Sequence, residues 1–561
     1  MEKKLYGLLA KVLAIFLGIL IIIPIIFGFI GFFLPSFGYF PILGKSEFNL
    51  NYFYISFNIA GISKSIIMSL FTGLGSTLLA LFFSQVILLY FFKTRAYNYI
   101  KIIISPLIAL PHITMAIGLI FLFSPSGLFF RLFSPWLTGF DRPPNFFIIP
   151  DEYGFFLILG LILKEIPFFI LVSLSAIQQF SARQIFDLGK SLQNSNFSSW
   201  CILIFPLIYK KIRLVIFIVI AFTASVVDMS LILAPSTPST LAIRILQIYQ
   251  SSDIDSFFIA SNLALIQLLI IIILLLSWMI LERIVEHKLF FIFFMKILSF
   301  KIFFLKNLIF ASAAILFSLS VLGIFSSLLW GFSKNWYFPS FFPNSIDIDT
   351  FINFYNENKF IVFISIFISV VVSFLSSLLT IIWVELMDIL KMKKLYLEWI
   401  IFIPLFIPQI SFLIGLQSFI ILFNFDSFLI PLIIIQLFYV IPYSFIILAP
   451  SLREIKKDII RVAASLGKNR FQRLVQIKLP IIMSSFLTSF AIGMLVSFSL
   501  YIPVYFIGAG RVTTLTVEAL NLALSGSRQD LGVATFFQII IPILILITVV
   551  YFNKKMSKWR F

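Results

Sequence analysis

Arg461-Val-Ala-Ala-Ser-Leu-Gly467-Lys-Asn-Arg-Phe-Gln-Arg-Leu-Val-Gln-Ile477-Lys-Leu-Pro480 carries five cations and no acid, yet long apolar runs lie on both sides of it. Apolar runs of ~20 residues separated by short polar stretches describe a polytopic membrane protein, because a helix of that length crosses ~30 Å of hydrocarbon. Composition agrees: 61% of residues are hydrophobic and 11% charged, against roughly 25% charged in soluble domains. Backbone groups in lipid must be bonded internally, which allows helices or a closed barrel. Runs such as Ile15 to Ile23 and Leu265 to Leu276 do not alternate in polarity, which excludes the barrel. The expected fold is an all-α integral membrane protein.

Twelve transmembrane helices are predicted. The first six lie near 12–34, 62–92, 100–123, 155–179, 206–234 and 256–281, and the second six near 303–330, 359–388, 397–424, 428–449, 481–508 and 534–552. Met1-Glu-Lys-Lys4 and the apolar run from Val12 to Leu34 imitate a signal peptide. The run is too long for one and no small-x-small site follows closely, so it reads as a retained first helix. With both termini in the cytoplasm, 31 of the 41 Lys and Arg fall on that side, as the positive-inside rule requires. Topology therefore accounts for the net charge of +18, and no nucleic acid is needed as a partner. Cys201 stands alone, which excludes an intramolecular disulfide and a thiolate metal cluster.

The chain repeats itself. Pro111-His-Ile-Thr-Met-Ala-Ile-Gly118-Leu parallels Pro408-Gln-Ile-Ser-Phe-Leu-Ile-Gly415-Leu at an offset of 297. Ser191-Leu-Gln193-Asn-Ser-Asn-Phe197 parallels Ser465-Leu-Gly467-Lys-Asn-Arg-Phe471, and Thr240-Leu-Ala-Ile parallels Thr514-Leu-Thr-Val, both at 274. Six spans per half is an even number, so the halves form two parallel six-helix repeats. The expected division is a first repeat over 1–281 with a cytoplasmic loop at 181–206, a linker at 282–306, and a second repeat over 307–561 with its loop at 451–480. The linker carries Arg283, His287, Lys288, Lys296, Lys301 and Lys306 among Phe and Ile, the pattern of an amphipathic surface segment. Stretches 35–61, 124–154, 235–255 and 331–358 read as external loops, with Pro135-Trp136, Asp141-Arg-Pro-Pro144 and Trp336-Tyr-Phe-Pro339 as aromatic caps.

Catalytic signatures are missing. Gly189-Lys190-Ser191 ends like a P-loop but lacks its first Gly, no H-E-x-x-H occurs, and the two histidines, His112 and His287, lie on different elements. The chain is therefore not expected to be an enzyme or to hold a metal or cofactor of its own. The loops carry more. Ser451 and Glu454 have the spacing of a capping box, helix formers follow to Leu466, and Gly467 is placed for a left-handed C-cap. A second short helix, 470–478, leads to Leu479-Pro480. Small Ala463 and Ala464 let another backbone come close. Anionic lipid would explain one basic loop as well as docking does. Two loops at matching positions, each 13 residues from turn residue to proline (193 to 206, 467 to 480), favour docking.

Ala463-Ala464-Ser-Leu-Gly467, nine residues, then Ile477-Lys-Leu-Pro480 resembles the EAA loop of permease subunits in binding-protein-dependent ABC importers. The whole chain resembles the fused double permeases of the iron(III), thiamine and polyamine group. The resemblance implies a multi-pass inner-membrane permease of a bacterial cell that imports a small solute by alternating access. It implies two copies of a separate ATPase subunit, carrying ATP and Mg, on the cytoplasmic face, and an extracytoplasmic solute-binding protein. It implies ATPase-docking roles for Asp187, Gly189 and Gln193 in the first half and for Arg461, Ala463, Ala464 and Gly467 in the second. Two positions depart from the motif: Arg461 stands in place of Glu and Gln193 in place of Gly. Gln in a left-handed turn costs on the order of 1 kcal/mol relative to Gly, so the two docking sites are expected to be unequal.

Ionisable groups inside spans mark transport paths by default. Asp228 aligns with Ile502, so it is no part of a symmetric scaffold, and it is a candidate partner for a cationic solute. A local hydrogen bond to Ser225 or Ser230 is the plainer role. His112 and Gln409 are equivalent, each following a proline in a doubly proline-broken segment; they line a gate or bond the carbonyls the prolines free. Lys164 and Glu165, before Pro167, pair with each other or with neighbours in a structural role, and Glu385 and Asp388 read as solvated at a span end. An ion-coupled secondary transporter with six plus six repeats is the competing reading, and would place charged pairs inside the spans. An embedded enzyme would need clustered His, Asp or Glu at the interface.

Overall fold

A computed structural model of the chain describes residues 2–558 apart from 96, 193–194, 287, 391–393 and 423–427. In the first half the helices are α1 (Glu2–Ser36), α2 (Asn51–Asn58), α3 (Ile62–Phe91), α4 (Tyr97–Ala109), α5 (His112–Phe123), α6 (Leu128–Phe133), α7 (Phe155–Ile177), α8 (Ala182–Ser191), α9 (Asn196–Ser199), α10 (Phe205–Ser225), α11 (Asp228–Leu233), α12 (Leu241–Tyr249) and α13 (Ile254–Glu286). The second half continues with α14 (Lys288–Phe332), α15 (Asp349–Leu390), α16 (Lys394–Phe402), α17 (Gln409–Leu422), α18 (Leu429–Arg453), α19 (Lys457–Ser465), α20 (Arg470–Arg473), α21 (Leu479–Ser499), α22 (Ile502–Gly508), α23 (Leu515–Ser525) and α24 (Arg528–Lys558). A two-stranded ribbon, Ser333–Asn335 with Ser345–Ile346, lies between α14 and α15. The protein is an all-α integral membrane protein.

Among the described residues ten helices are long and apolar enough to cross a membrane. Glu398–Leu405 and Gln409–Ile420, bent by 101° at Phe406–Pro408, make an eleventh if taken as one span. Of the twelve expected spans, 206–234 is the exception. Lys210, Lys211 and Arg213 occupy the start of α10, and the helix breaks at Val226–Val227 before α11. The expected span 100–123 is likewise divided between α4 and α5. The stretch 235–255, expected as loop, contains α12.

Many hydroxyl side chains inside the apolar helices bond to the preceding turn, an acceptor the helix itself supplies where lipid offers none. Thr77 donates to the Gly73 carbonyl at 2.8 Å and Thr223 to the Val219 carbonyl at 2.8 Å. From α9 onward the halves agree in register at the offset of 274: α9 with α20, α10 with α21, and the first residues of α11, α12 and α13 with those of α22, α23 and α24. A π-turn occurs at the same place in each, Trp200–Ile204 and Leu474–Lys478. Pro206 and Pro480 follow at the second position of the next helix, where a missing N–H is harmless. The N-termini of α12 and α23 are also held alike: Leu241 N–H donates to Ser69 Oγ at 3.0 Å, and Leu515 N–H to Ser365 Oγ at 2.8 Å.

Compactness does not follow the sequence halves. One unit comprises Met1–Phe32, Tyr355–Glu518 and Phe537–Phe561, and the other Phe33–Phe354 and Ala519–Phe536. In the first unit α1 packs on α17, with Phe27 and Phe419 ring centroids 4.6 Å apart. In the second unit α14 packs on α5, where Ser326 Oγ donates to the Phe121 carbonyl at 2.9 Å. Each unit thus takes its first long helix from the other half of the sequence. The side chains of the expected surface segment 282–306 lie mostly outside the described residues.

Arg131 knits one aromatic cap. Its guanidinium donates to the carbonyls of Ser126, Trp336, Tyr337 and Ser340 at 2.8–3.1 Å and sits 4.5 Å from the Trp336 ring centroid.

Candidate functional site

The first loop helix, α8, turns Ala182, Phe186 and Gly189 inward. Gly189 has no room for a side chain, since a Cβ would lie 2.7 Å from Ser199 Oγ and 2.9 Å from Leu203. That lets α8 lie directly on the π-turn. Phe92 packs edge-on against both Phe186 and Trp200, each at 5.2 Å, and Lys93 pairs with Asp187. Ser195 caps α9, accepting the Ser198 N–H at 3.1 Å. Gln193 lies outside the described residues.

The second loop is built differently at its start. Ser451 is not an N-cap: α18 runs through Pro450 to Arg453, and Ser451 Oγ donates to the Ile447 carbonyl at 3.1 Å and to Ser485 Oγ at 2.8 Å. An ion pair from Arg453 to Glu398 holds the last turn of α18 helical where the capping box would have required a break. The loop helix α19 begins at Lys457 and ends in a Schellman turn. Gly467 has φ +77°, its N–H donates to the Ala464 carbonyl at 3.1 Å, and the Lys468 N–H to the Ala463 carbonyl at 3.1 Å. The capping box of this loop is Asn469 with Gln472, each side chain accepting the other's backbone N–H at 2.8–3.0 Å. Its N-x-x-Q spacing was a legible signal. The expected short helix 470–478 runs on without a break into α21.

Ala463 is buried, whereas Ala464 is exposed. Arg461 reaches back to Asp458 at 3.2 Å across an exposed turn, a pair of little energetic weight. Lys478 pairs with Glu385, which is therefore not the freely solvated acid expected.

Both loop helices present apolar side chains outward at equivalent positions. Leu188 and Leu192 are 62% and 71% exposed, and Val462 and Leu466, at the same offset of 274, are 59% and 73% exposed. Phe471 beside them is exposed too. Burying such a side chain is worth about 1.5–3 kcal/mol. An exposed apolar pair rimmed by charge is the signature of an interaction site, and here it occurs twice.

A buried charged cluster lies in the unit that holds α5, α7 and α11. Lys164 Nζ donates to the carbonyls of Leu107 at 3.2 Å, Ile108 at 2.9 Å, and Leu110. These are the acceptors that the break before Pro111 leaves unpaired at the end of α4. Glu165 faces His112 Nε2 at 3.4 Å, so Lys164 and Glu165 serve separate neighbours rather than each other. Asp228 opens α11 and accepts the Met229 N–H at 2.9 Å. Ser225 and Ser230 bond instead to the Ala221 and Val226 carbonyls. The helix that Asp228 opens, α11, packs against both α5, which His112 opens, and α7, which carries Lys164. The fold thus brings His112 and Asp228 together with two residues read as structural. Among the described residues the second half has no such cluster. Gln409 stands for His112 and Ile502 for Asp228, and Phe438-Tyr-Val440 ahead of Pro442 carries no charge. Phe412 stacks there on Phe438 at 5.1 Å.

Cys201, half-buried in the first π-turn, has its thiol pushed up to about 12 by burial.

Residues 389–557 match the family model described as binding-protein-dependent transport system inner membrane component. That segment contains the whole second loop. The chain is also 26% identical over 449 residues to the inner membrane ABC transporter permease protein YnjC of Escherichia coli (strain K12), with 78% of each chain covered.

Proposed function

We propose that this chain is the membrane-spanning permease subunit of an ABC importer of the bacterial inner membrane, with both permease halves fused in one polypeptide. The observation that carries the reading is the doubled loop helix, with its outward pair at Leu188/Leu192 and again at Val462/Leu466. Similarity of 389–557 to transport-system membrane components supports it. In this reading α8 and α19 each seat in one of two ATPase subunits on the cytoplasmic face, where both termini also lie. Asp187, Gly189, Gln193, Arg461, Ala463, Ala464 and Gly467 shape the two seats. ATP and Mg are bound by the ATPase partners. A solute-binding protein delivers a small solute from the other side, and the permease alternates between inward- and outward-facing states. In this reading the chain is of the iron(III), thiamine and polyamine type. Asp228 and His112 line the solute path in the first half and Gln409 in the second.

The pair of half-buried His112 with buried Glu165 also fits an ion-coupled secondary transporter. Uptake into proteoliposomes carrying the full chain with its co-expressed ATPase separates the two. The ABC reading expects uptake that requires ATP and survives collapse of the ion gradients. Uptake that persists without the ATPase and stops with an ionophore overturns it.

A further inference from the structure

Tyr209, Lys210 and Arg213 on α10, with Met279, Glu282 and Arg283 on α13, line an open cavity of about 320 Å³. Its one carboxylate is already committed. Arg213 donates to both oxygens of Glu282 at 2.6–3.0 Å, and Tyr209 donates its hydroxyl to the same group. Trp278 Nε1 in turn donates to Tyr209 Oη at 2.8 Å. Lys210 and Arg283 are both exposed, and among the described residues neither has a salt bridge or side-chain hydrogen bond. The cavity therefore holds two uncompensated cations beside a fixed polar wall.

Its level in the molecule identifies the occupant. The unbroken apolar run of α13 reaches Leu281, and Glu282 and Arg283 fall in the last turn of the candidate span Ile254–Val285. Leu276, Ile280 and Ile284 are exposed beside the cavity on the same helix. A ligand here meets cations at its head and an apolar face along its length. Tyr209 and Trp278 occupy the boundary where such aromatics concentrate. The second half cannot form the site, because the corresponding positions are Met483, Ser484, Leu487, Met556 and Ser557.

We propose that this cavity binds the headgroup phosphate of an anionic phospholipid, with Lys210 and Arg283 as its ligands and the Arg213–Glu282–Tyr209 network as a rigid support. Basic pockets between helices at the membrane face suit such headgroups. Free phosphate shares the chemistry but not the apolar flank.

Native mass spectrometry of the full chain, released from detergent with added phosphatidylglycerol, phosphatidylcholine or inorganic phosphate, tests this. Phosphatidylglycerol is expected to stay bound where phosphatidylcholine does not. Lys210→Ala with Arg283→Ala should lower its occupancy roughly tenfold or more, as expected for two lost cations near a membrane surface. Lys210→Arg with Arg283→Lys should retain it, which separates lost charge from failed folding. Equal retention of the two lipids, or unchanged retention in the alanine variant, overturns the proposal. Displacement of the lipid by millimolar phosphate also overturns it, assigning the site to a free anion.

Discussion

Gly31 and Gly415 meet backbone to backbone: a Cβ on Gly31 would lie 2.2 Å from the Gly415 carbonyl oxygen. Gly118 and Gly323 repeat the relationship in the other unit, where a Cβ on Gly118 would lie 2.9 Å from the Gly323 carbonyl carbon. Gly118 and Gly415 are the repeated glycines of the sequence motif, and both serve to seat a helix from the opposite half. Gly415→Leu should destabilise the chain by about 1–3 kcal/mol or more, since the atoms in the way are backbone and cannot rotate aside. Gly18→Leu, at a glycine on the same helix as Gly31 but with open space around it, should be neutral. Thermal unfolding of the detergent-solubilised chain decides between close packing and coincidence.

Gly467→Ala places a side chain at φ +77° and should cost on the order of 1 kcal/mol locally. Deletion of 461–470 removes the second half of α19, its turn and the start of α20. ATPase co-purification should weaken in the first and vanish in the second while membrane insertion persists. A deletion variant that still brings down the ATPase would sink the docking role.

Lys478 and Glu385 tie the second loop to α15, with side chains 12% and 17% exposed. Either single charge removal should cost about 1–3 kcal/mol, less than the 3–5 kcal/mol of a fully buried pair. Lys478→Glu with Glu385→Lys should recover part of that loss. A double-mutant cycle of melting free energies measures the coupling, and additive losses would show that the pair does not act as one.

Asp228→Asn should reduce solute uptake about tenfold or more, as expected for a functional intramembrane acid, while ATPase co-purification is unchanged. Uptake at the wild-type rate would assign the carboxylate to its bond with the Met229 N–H alone.

With its thiol pushed up to about 12, Cys201 is almost wholly protonated near neutrality. At pH 8 roughly one thiol in ten thousand is thiolate, so maleimide labelling should be slow and should quicken as pH rises toward that value. Labelling within minutes at pH 7.5 would show that the π-turn opens.

Much of this was legible in the residues. Apolar runs mark most spans because lipid enforces helix wherever they occur, and Gly467 announces its turn because few residues tolerate positive φ. The repeat carried over to helix boundaries and even to the π-turns. Other features needed three dimensions. Ser451 and Glu454 have capping-box spacing, but the Arg453–Glu398 pair, 55 residues apart, kept α18 helical through them. The residues left open whether Lys164 pairs with Glu165 or with neighbours, because its partners are carbonyls freed more than fifty residues earlier. Nothing local in α1 or α14 says which half they will join.

That exchange sets an order of assembly. The glycine face of α1 has its seat at Gly415, so α1, made before α17, must wait for that seat until the second half is inserted. The last turns of α24 then close the same unit. Packing of the earlier helix thus depends on insertion of the later ones, and the unit is complete only when segments far apart in the chain are all in the membrane.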